Sequence, residues 1–252
     1  MKLKDLETMI NEQEATVDSR YVGAALPALL RKTYLWMAFA MIITGIVAYG
    51  MATVTYTAAD GSTLPIAFKI FQSRGTFWIL FIAELGMVFT LSARIMRLSL
   101  PTATLLFIAY SAVNGVMLSA IFLVYTMQSI ASAFFVTAAT FGAMGLYGYF
   151  TKSSLDGLGK YLTMGLVGLI IAIAVNIFLH NGMLNLIISS VAVVLFTILT
   201  AYDTQKIKIM LALQPDAGEA AQRIALLGAL SLYLDFINLF IYILQFFGGR
   251  NN

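Results

Sequence analysis

Two aspartates stand at or inside the last two apolar segments of the chain, in Ala201-Tyr202-Asp203-Thr204-Gln205 and Leu232-Tyr233-Leu234-Asp235-Phe236-Ile237-Asn238. A carboxylate within a membrane span is costly, and where one persists it marks a candidate ion path, proton relay or catalytic acid. If the two meet inside a helix bundle they cannot both ionise cheaply, and they titrate as a unit. Such a pair senses pH while it holds a shared proton, and offers oxygen ligands to a cation once that proton leaves. Carboxylate, amide and carbonyl oxygens suit a hard ion such as Ca²⁺; the chain has no cysteine and a single histidine, His180, to offer softer metals. Two carboxylates supply fewer oxygens than the roughly six to eight that Ca²⁺ takes, so water must complete the shell. Metal binding at Asp203 and Asp235 is therefore expected to be weak, which suits passage of a transported ion better than tight retention, and no tightly bound cofactor is implied.

Asp235 lies about halfway along its apolar run, with Ser231, Asn238 and Tyr242 at helical offsets around it, a polar stripe expected to point into a bundle. The bland alternative is a protonated acid hydrogen-bonded to a neighbouring helix. Asp203 lies just past its run, yet Thr204, Gln205, Lys206, Ile207 and Lys208 include no helix breaker, so the helix is expected to continue another turn or two. Its alternative is a solvated helix end paired with Lys206 or Lys208. Arg94, at the inner end of the second run, offers a competing counter-ion: a guanidinium paired with Asp203 would close a route and release it when protonation changes. Glu84 in the same run reads either as a second acidic station or as a buried acid bonded to Asn114. His180 reads as an exposed turn residue, Asn176 and Asn185 as interhelical hydrogen-bond partners, and Trp36, Trp78, Tyr149 and Tyr161 as interfacial anchors.

The elements that must position these residues follow from composition. Of 252 residues, 60% are hydrophobic and 11% charged, with a mean hydropathy of +0.89, more apolar surface than a soluble domain hides. Apolar runs near the ~20 residues that cross a bilayer as a helix span Thr33 to Val54, Phe77 to Ala93, Thr102 to Val124, Ile130 to Phe150, Tyr161 to Leu179, Met183 to Tyr202 and Ile224 to Phe247. They are continuous rather than alternating, which predicts an all-α polytopic bundle of seven transmembrane helices and not a barrel. Residues 1–30 read as a polar, poorly ordered cytoplasmic tail, residues 31–252 as the transmembrane domain. The His180-Asn181-Gly182 turn forces spans five and six side by side, while 55–76 and 203–223 are long connections. Gly142, Gly145, Gly148, Gly165 and Gly168 sit at helical spacing and read as close-packing positions.

Basic residues alternate sides: Lys2, Lys4, Arg20, Arg31, Lys32, Arg94, Arg97, Lys152, Lys160, Lys206, Lys208 and Arg223 against Lys69, Arg74 and Arg250. The amino terminus is therefore expected in the cytoplasm and, after seven spans, the carboxyl terminus outside. The pI near 9.0 is this topology code and no sign of a nucleic-acid partner.

No phosphate-binding loop, His-Glu-x-x-His, serine elbow or dinucleotide fingerprint is present, and no enzymatic activity is expected. One catalytic alternative is an intramembrane aspartyl protease, in which two membrane aspartates share a proton to activate water.

The segments Ala201-Tyr202-Asp203-Thr204-Gln205-Lys206-Ile207 and Ser231-Leu232-Tyr233-Leu234-Asp235-Phe236-Ile237-Asn238-Leu239-Phe240 closely resemble the signature of the Bax inhibitor-1 family, also called the transmembrane Bax inhibitor motif family. The likeness covers about Thr33 to Gly249 and is most specific in the last two helices. It implies seven helices with the last surrounded by the other six, and a pH-sensitive Ca²⁺ leak of the bacterial inner membrane. It also implies a proton-sharing dyad at Asp203 and Asp235, a counter-ion at Arg94 or Arg97, and an acidic position at Glu84. The separation of the two aspartates implies a longer cytoplasmic loop, Leu211 to Arg223. Intramembrane aspartyl proteases carry Gly-x-Gly-Asp and Pro-Ala-Leu, whereas here the second aspartate follows Leu232-Tyr233-Leu234. A regulator that binds another membrane protein, such as a quality-control protease, is the alternative from a different class, since some bacterial relatives are associated with that role. Lipid, Ca²⁺ and protons are the other expected partners.

Overall fold

Long apolar runs close into helices because a segment in lipid must satisfy every backbone group internally. In a computed structural model that describes residues 3–58, 61–214 and 216–249, seven helical segments are long and apolar enough to cross a membrane. They are built from α1 (Leu3–Thr53), α3 (Arg74–Arg94), α4 (Leu100–Leu118) with α5 (Ala120–Val124), α6 (Met127–Phe150), α7 (Gly159–Leu179), α8 (Gly182–Ala212) and α9 (Glu219–Phe247). Polar side chains set several of the starts. Ser73, Ser99, Thr126 and Asn181 each accept a backbone N–H from the first turn of the helix that follows, which satisfies donors the helix itself cannot. His180, in the left-handed region at φ 49°, closes α7, and Asn181 opens α8, so the two helices run antiparallel as expected.

The last helix is the centre of the bundle. Of the most apolar stretch of α9, 67% of residues are buried, against 33% or less for every other span, and α9 contacts α8, α1, α6 and α4. Spans α3 and α7 lie at the rim, leaning on α4 and α8 respectively. Large side chains such as Phe89, Phe135, Ile170 and Phe178 face outward, as a lipid-facing surface requires. At Gly148 a Cβ would lie 2.2 Å from the Ala201 carbonyl oxygen, and at Gly115 one would lie 2.7 Å from that of Thr44, so these glycines let α6 reach α8 and α4 reach α1. Gly145 and Gly165 also sit at contacts, but Gly142 and Gly168 face open space: the small-residue reading holds for three of its five positions.

Three connections differ from expectation. The backbone is helical from Leu3, so α1 runs without a break from the region read as a poorly ordered tail into the first span, with Pro27 inside it, and Leu29 and Leu30 are already buried. The 55–76 connection holds a two-stranded hairpin, β1 (Thr55–Thr57) with β2 (Thr63–Pro65), turned at Gly61 with φ 82°, and the short helix α2 (Ile66–Gln72). The expected long loop 211–223 is mostly helix, because α8 extends to Ala212 and α9 begins at Glu219. There Arg223 donates to Met96 O at 3.1 Å and pairs with Glu219 at 2.6 Å, while Glu219 accepts from Leu100 N at 3.1 Å. The start of α9 is thereby clasped to the turn between α3 and α4.

Candidate functional site

The α8–α9 interface is the broadest in the molecule, and three contacts fix its register. Ile207 lies where a side chain at Gly228 would go, Phe196 stacks on Tyr242 with ring centroids 5.9 Å apart, and Ser189 Oγ donates to Gln245 Oε1 at 3.2 Å. For antiparallel helices this register sets Asp203 opposite Asp235, and Asp203 is the ionisable neighbour that acts electrostatically on Asp235. The register thus brings the two aspartates to the same stretch of the α8–α9 seam.

Their surroundings differ. Asp235 is 5% exposed and its Oδ2 is buried with no hydrogen-bond partner, so the reading of a carboxylic acid bonded to a neighbouring helix does not describe it. A buried, unpartnered carboxyl oxygen is expensive and is completed only by a proton, a water or a cation. Asp203 is half-buried within α8, which continues for about two and a half further turns to Ala212. Lys206 is the cation that acts on it, but among the described residues the single ion pair is Arg223 with Glu219. Lys208 instead donates to Tyr149 O at 2.6 Å. The adjacent Gln205 holds the α6–α7 connection, accepting from Leu155 N at 2.8 Å and donating to Ser153 O at 2.9 Å, which anchors α8 just where Asp203 sits.

Other expected participants stand apart. Arg94 and Arg97 are exposed at the end of α3, and among the described residues neither is paired with a carboxylate. Asn238 donates to Leu234 O of its own helix at 2.9 Å, and Ser231 is half-buried beside it without a hydrogen bond. No group of three or more His, Asp or Glu side chains able to hold a metal occurs among the described residues, so any cation at the pair would depend on two carboxylates and water. His180 is an exposed turn residue.

Glu84 belongs to a polar network that only in part was legible beforehand. Asn114 Nδ2 donates to Glu84 Oε1, the buried alternative for this acid. Beyond it, Tyr233 OH donates to Asn114 Oδ1 at 2.9 Å and lies 2.7 Å from Thr44 Oγ1, which itself reaches Ser111 O at 2.9 Å. Four spans thus meet through side chains at Tyr233, two residues before Asp235 and therefore on a different face of α9. The signal was a row of hydroxyls inside apolar runs, but Ser and Thr often bond their own helix, so it did not single out Thr44.

Comparison with known proteins agrees with this architecture. Residues 26–252 match the family described as "Inhibitor of apoptosis-promoting Bax1". The chain is 43% identical over 229 residues to the "Inner membrane protein YbhL" of Escherichia coli, covering 90% of this chain and 94% of that protein. It is 41% identical over 224 residues to an uncharacterized protein of Borreliella burgdorferi, covering 89% and 95%. With an uncharacterized protein of Deinococcus radiodurans it shares 35% identity over 249 residues, covering 99% and 100%.

Proposed function

The chain belongs to the Bax inhibitor-1 family, and from that premise we propose that it is a pH-sensitive Ca²⁺ leak of the bacterial inner membrane, gated by a proton shared between Asp203 and Asp235. The observation that carries this reading is the buried, unpartnered Oδ2 of Asp235 on the central helix, with Asp203 set opposite by the α8–α9 register. Protonated, the pair is neutral and offers little to a cation. When the shared proton leaves, the same oxygens face the interior with no protein donor to satisfy them, and a hydrated divalent ion can exchange some of its water for them. Because proton and cation compete for one set of oxygens, binding Ca²⁺ releases a proton and strengthens as pH rises.

Arg94 is the counter-ion in this scheme. It reaches the pair only if the end of α3 moves inward, and α3 is loosely held: 11% of its most apolar stretch is buried. The basic end of the bundle, with Arg94, Lys152, Lys206 and Arg223, faces the cytoplasm, and α9 ends on the far side. The inner-membrane assignment follows the name of the Escherichia coli relative.

The test is Ca²⁺ influx into proteoliposomes across the acid-to-neutral range, comparing wild type with Asp203→Asn and Asp235→Asn. A pH-dependent flux that either substitution flattens is expected. Flux no greater than in empty liposomes under every condition would overturn the leak and turn attention to regulation of another membrane protein.

A further inference from the structure

Near the end of the bundle that carries the His180–Asn181 turn, α7, α8 and α9 line a half-open cavity of about 190 Å³. Asn176, Asn185, Tyr242 and Gln245 line it among isoleucines, although membrane helices seldom carry amides without a purpose. Two of the four are committed: Asn176 Oδ1 accepts from Asn181 N at 3.1 Å and Gln245 Oε1 accepts from Ser189 at 3.2 Å. Among the described residues the Asn185 amide and the Tyr242 hydroxyl make no hydrogen bond. Polar groups left over in a cavity roomy enough for several waters are the setting in which water enters.

The cavity shares a face with the carboxyl pair. On α9 the residues Asp235, Asn238, Tyr242 and Gln245 fall at successive helical offsets, and Tyr242 stands about 10 Å along the axis from Asp235. Between the two polar regions the Tyr242 ring lies stacked on Phe196 of α8, with 16° between the ring planes. These rings therefore lie on the α8–α9 seam between the cavity and the carboxyl pair.

We propose that this cavity is a water-filled vestibule in which a hydrated divalent cation is held on neutral amide and phenol oxygens, and that the Phe196–Tyr242 stack is the barrier between it and the carboxyl pair. The cation's onward movement rests on the leak reading above; the wet cavity and the ring barrier do not. Neutral oxygens suit a waiting position, since they stabilise a hard cation less than a carboxylate does and let it move on.

The chain has no cysteine, so single cysteines report accessibility without background. The full-length protein in lipid vesicles is treated with a charged, membrane-impermeant thiosulfonate on the side that His180 faces. Asn185→Cys is expected to be modified and Val191→Cys, exposed on the outer surface of α8, is not. Asn238→Cys, beyond the rings, is expected to stay unmodified and to become reactive once Phe196→Ala is added, with Ca²⁺ influx rising several-fold. An Asn185→Cys as inert as Val191→Cys would overturn the vestibule, and that variant requires no change to the core. Modification of Asn238→Cys with the rings intact would overturn the barrier. If the labelling pattern holds while Asp203→Asn and Asp235→Asn leave flux unaltered, the leak reading falls and takes the cation's passage with it.

Discussion

Replacing Tyr233 by phenylalanine isolates the polar network at the heart of the bundle. The ring keeps its edge-on contacts with Phe107 and Tyr110, at 6.0 and 5.9 Å between centroids, so no cavity opens and only the hydroxyl is lost. That hydroxyl donates to Asn114 Oδ1, which loses its donor while its amide nitrogen still serves Glu84. Thr44 is better placed, because its hydroxyl still donates a hydrogen bond to the Ser111 carbonyl 2.9 Å away. One buried acceptor is therefore orphaned, at a cost of roughly 1–3 kcal/mol. Hydrogen bonds between membrane helices are worth about 0.6 kcal/mol on average and about 1.7 at most, so we expect about 1.5 kcal/mol, near the upper end because Tyr233 is fully buried. Reversible unfolding in mixed micelles measures it, with Tyr242→Phe as control, whose hydroxyl has no partner and whose loss should change stability by less than about 0.5 kcal/mol. Equal stabilities for the two variants would refute the network as a structural tie.

Three further outcomes are expected. Gly148→Ala places a Cβ 2.2 Å from the Ala201 carbonyl oxygen and should cost at least about 1–3 kcal/mol through overpacking, whereas Gly168→Ala, which meets nothing, should be neutral or stabilise by up to about 1 kcal/mol; the same unfolding assay decides, and equal effects would contradict the assigned contact. Gln205→Leu removes both bonds that hold Ser153 and Leu155, each worth about 1 kcal/mol, and should speed proteolytic cleavage within residues 151–158; unchanged cleavage would show that the connection is held by other means. Ca²⁺ binding at constant pH should release protons into a weak buffer, with affinity rising as pH rises, and isothermal titration in buffers of different ionisation enthalpy would show it. Binding without proton release would contradict competition for the same oxygens.

The spans were legible because each is a continuous apolar run, and the extension of α8 past Asp203 was legible because nothing between Thr204 and Lys208 breaks a helix. The central position of α9 was less so. Every span is apolar enough for the interior, and hydropathy does not separate a side facing lipid from one facing protein; here the likeness in the last two helices carried the expectation. The hairpin after α1 left a trace in Thr55-Tyr56-Thr57 and Gly61, but a lone short hairpin is too weak a pattern to outweigh the turn-like residues around it. Convergence of Asp203 with Asp235 could be suspected from their cost in a membrane, whereas the contacts that set it, Phe196 on Tyr242 and Ser189 with Gln245, depend on the register of two helices. Arg94 shows the converse: its charge fits a counter-ion, but with α3 packed on α4 it is exposed and forms no ion pair with either aspartate.

The most direct measurement of the central claim is a double-mutant cycle on the pH profile of Ca²⁺ flux, with Asp203→Asn, Asp235→Asn and the two combined in the same lipid vesicles. If one shared proton gates the path, the residues act as a unit: each single substitution should flatten the profile and the double variant should add little more. Independent, additive shifts from the two substitutions, or a profile that neither one moves, would contradict it.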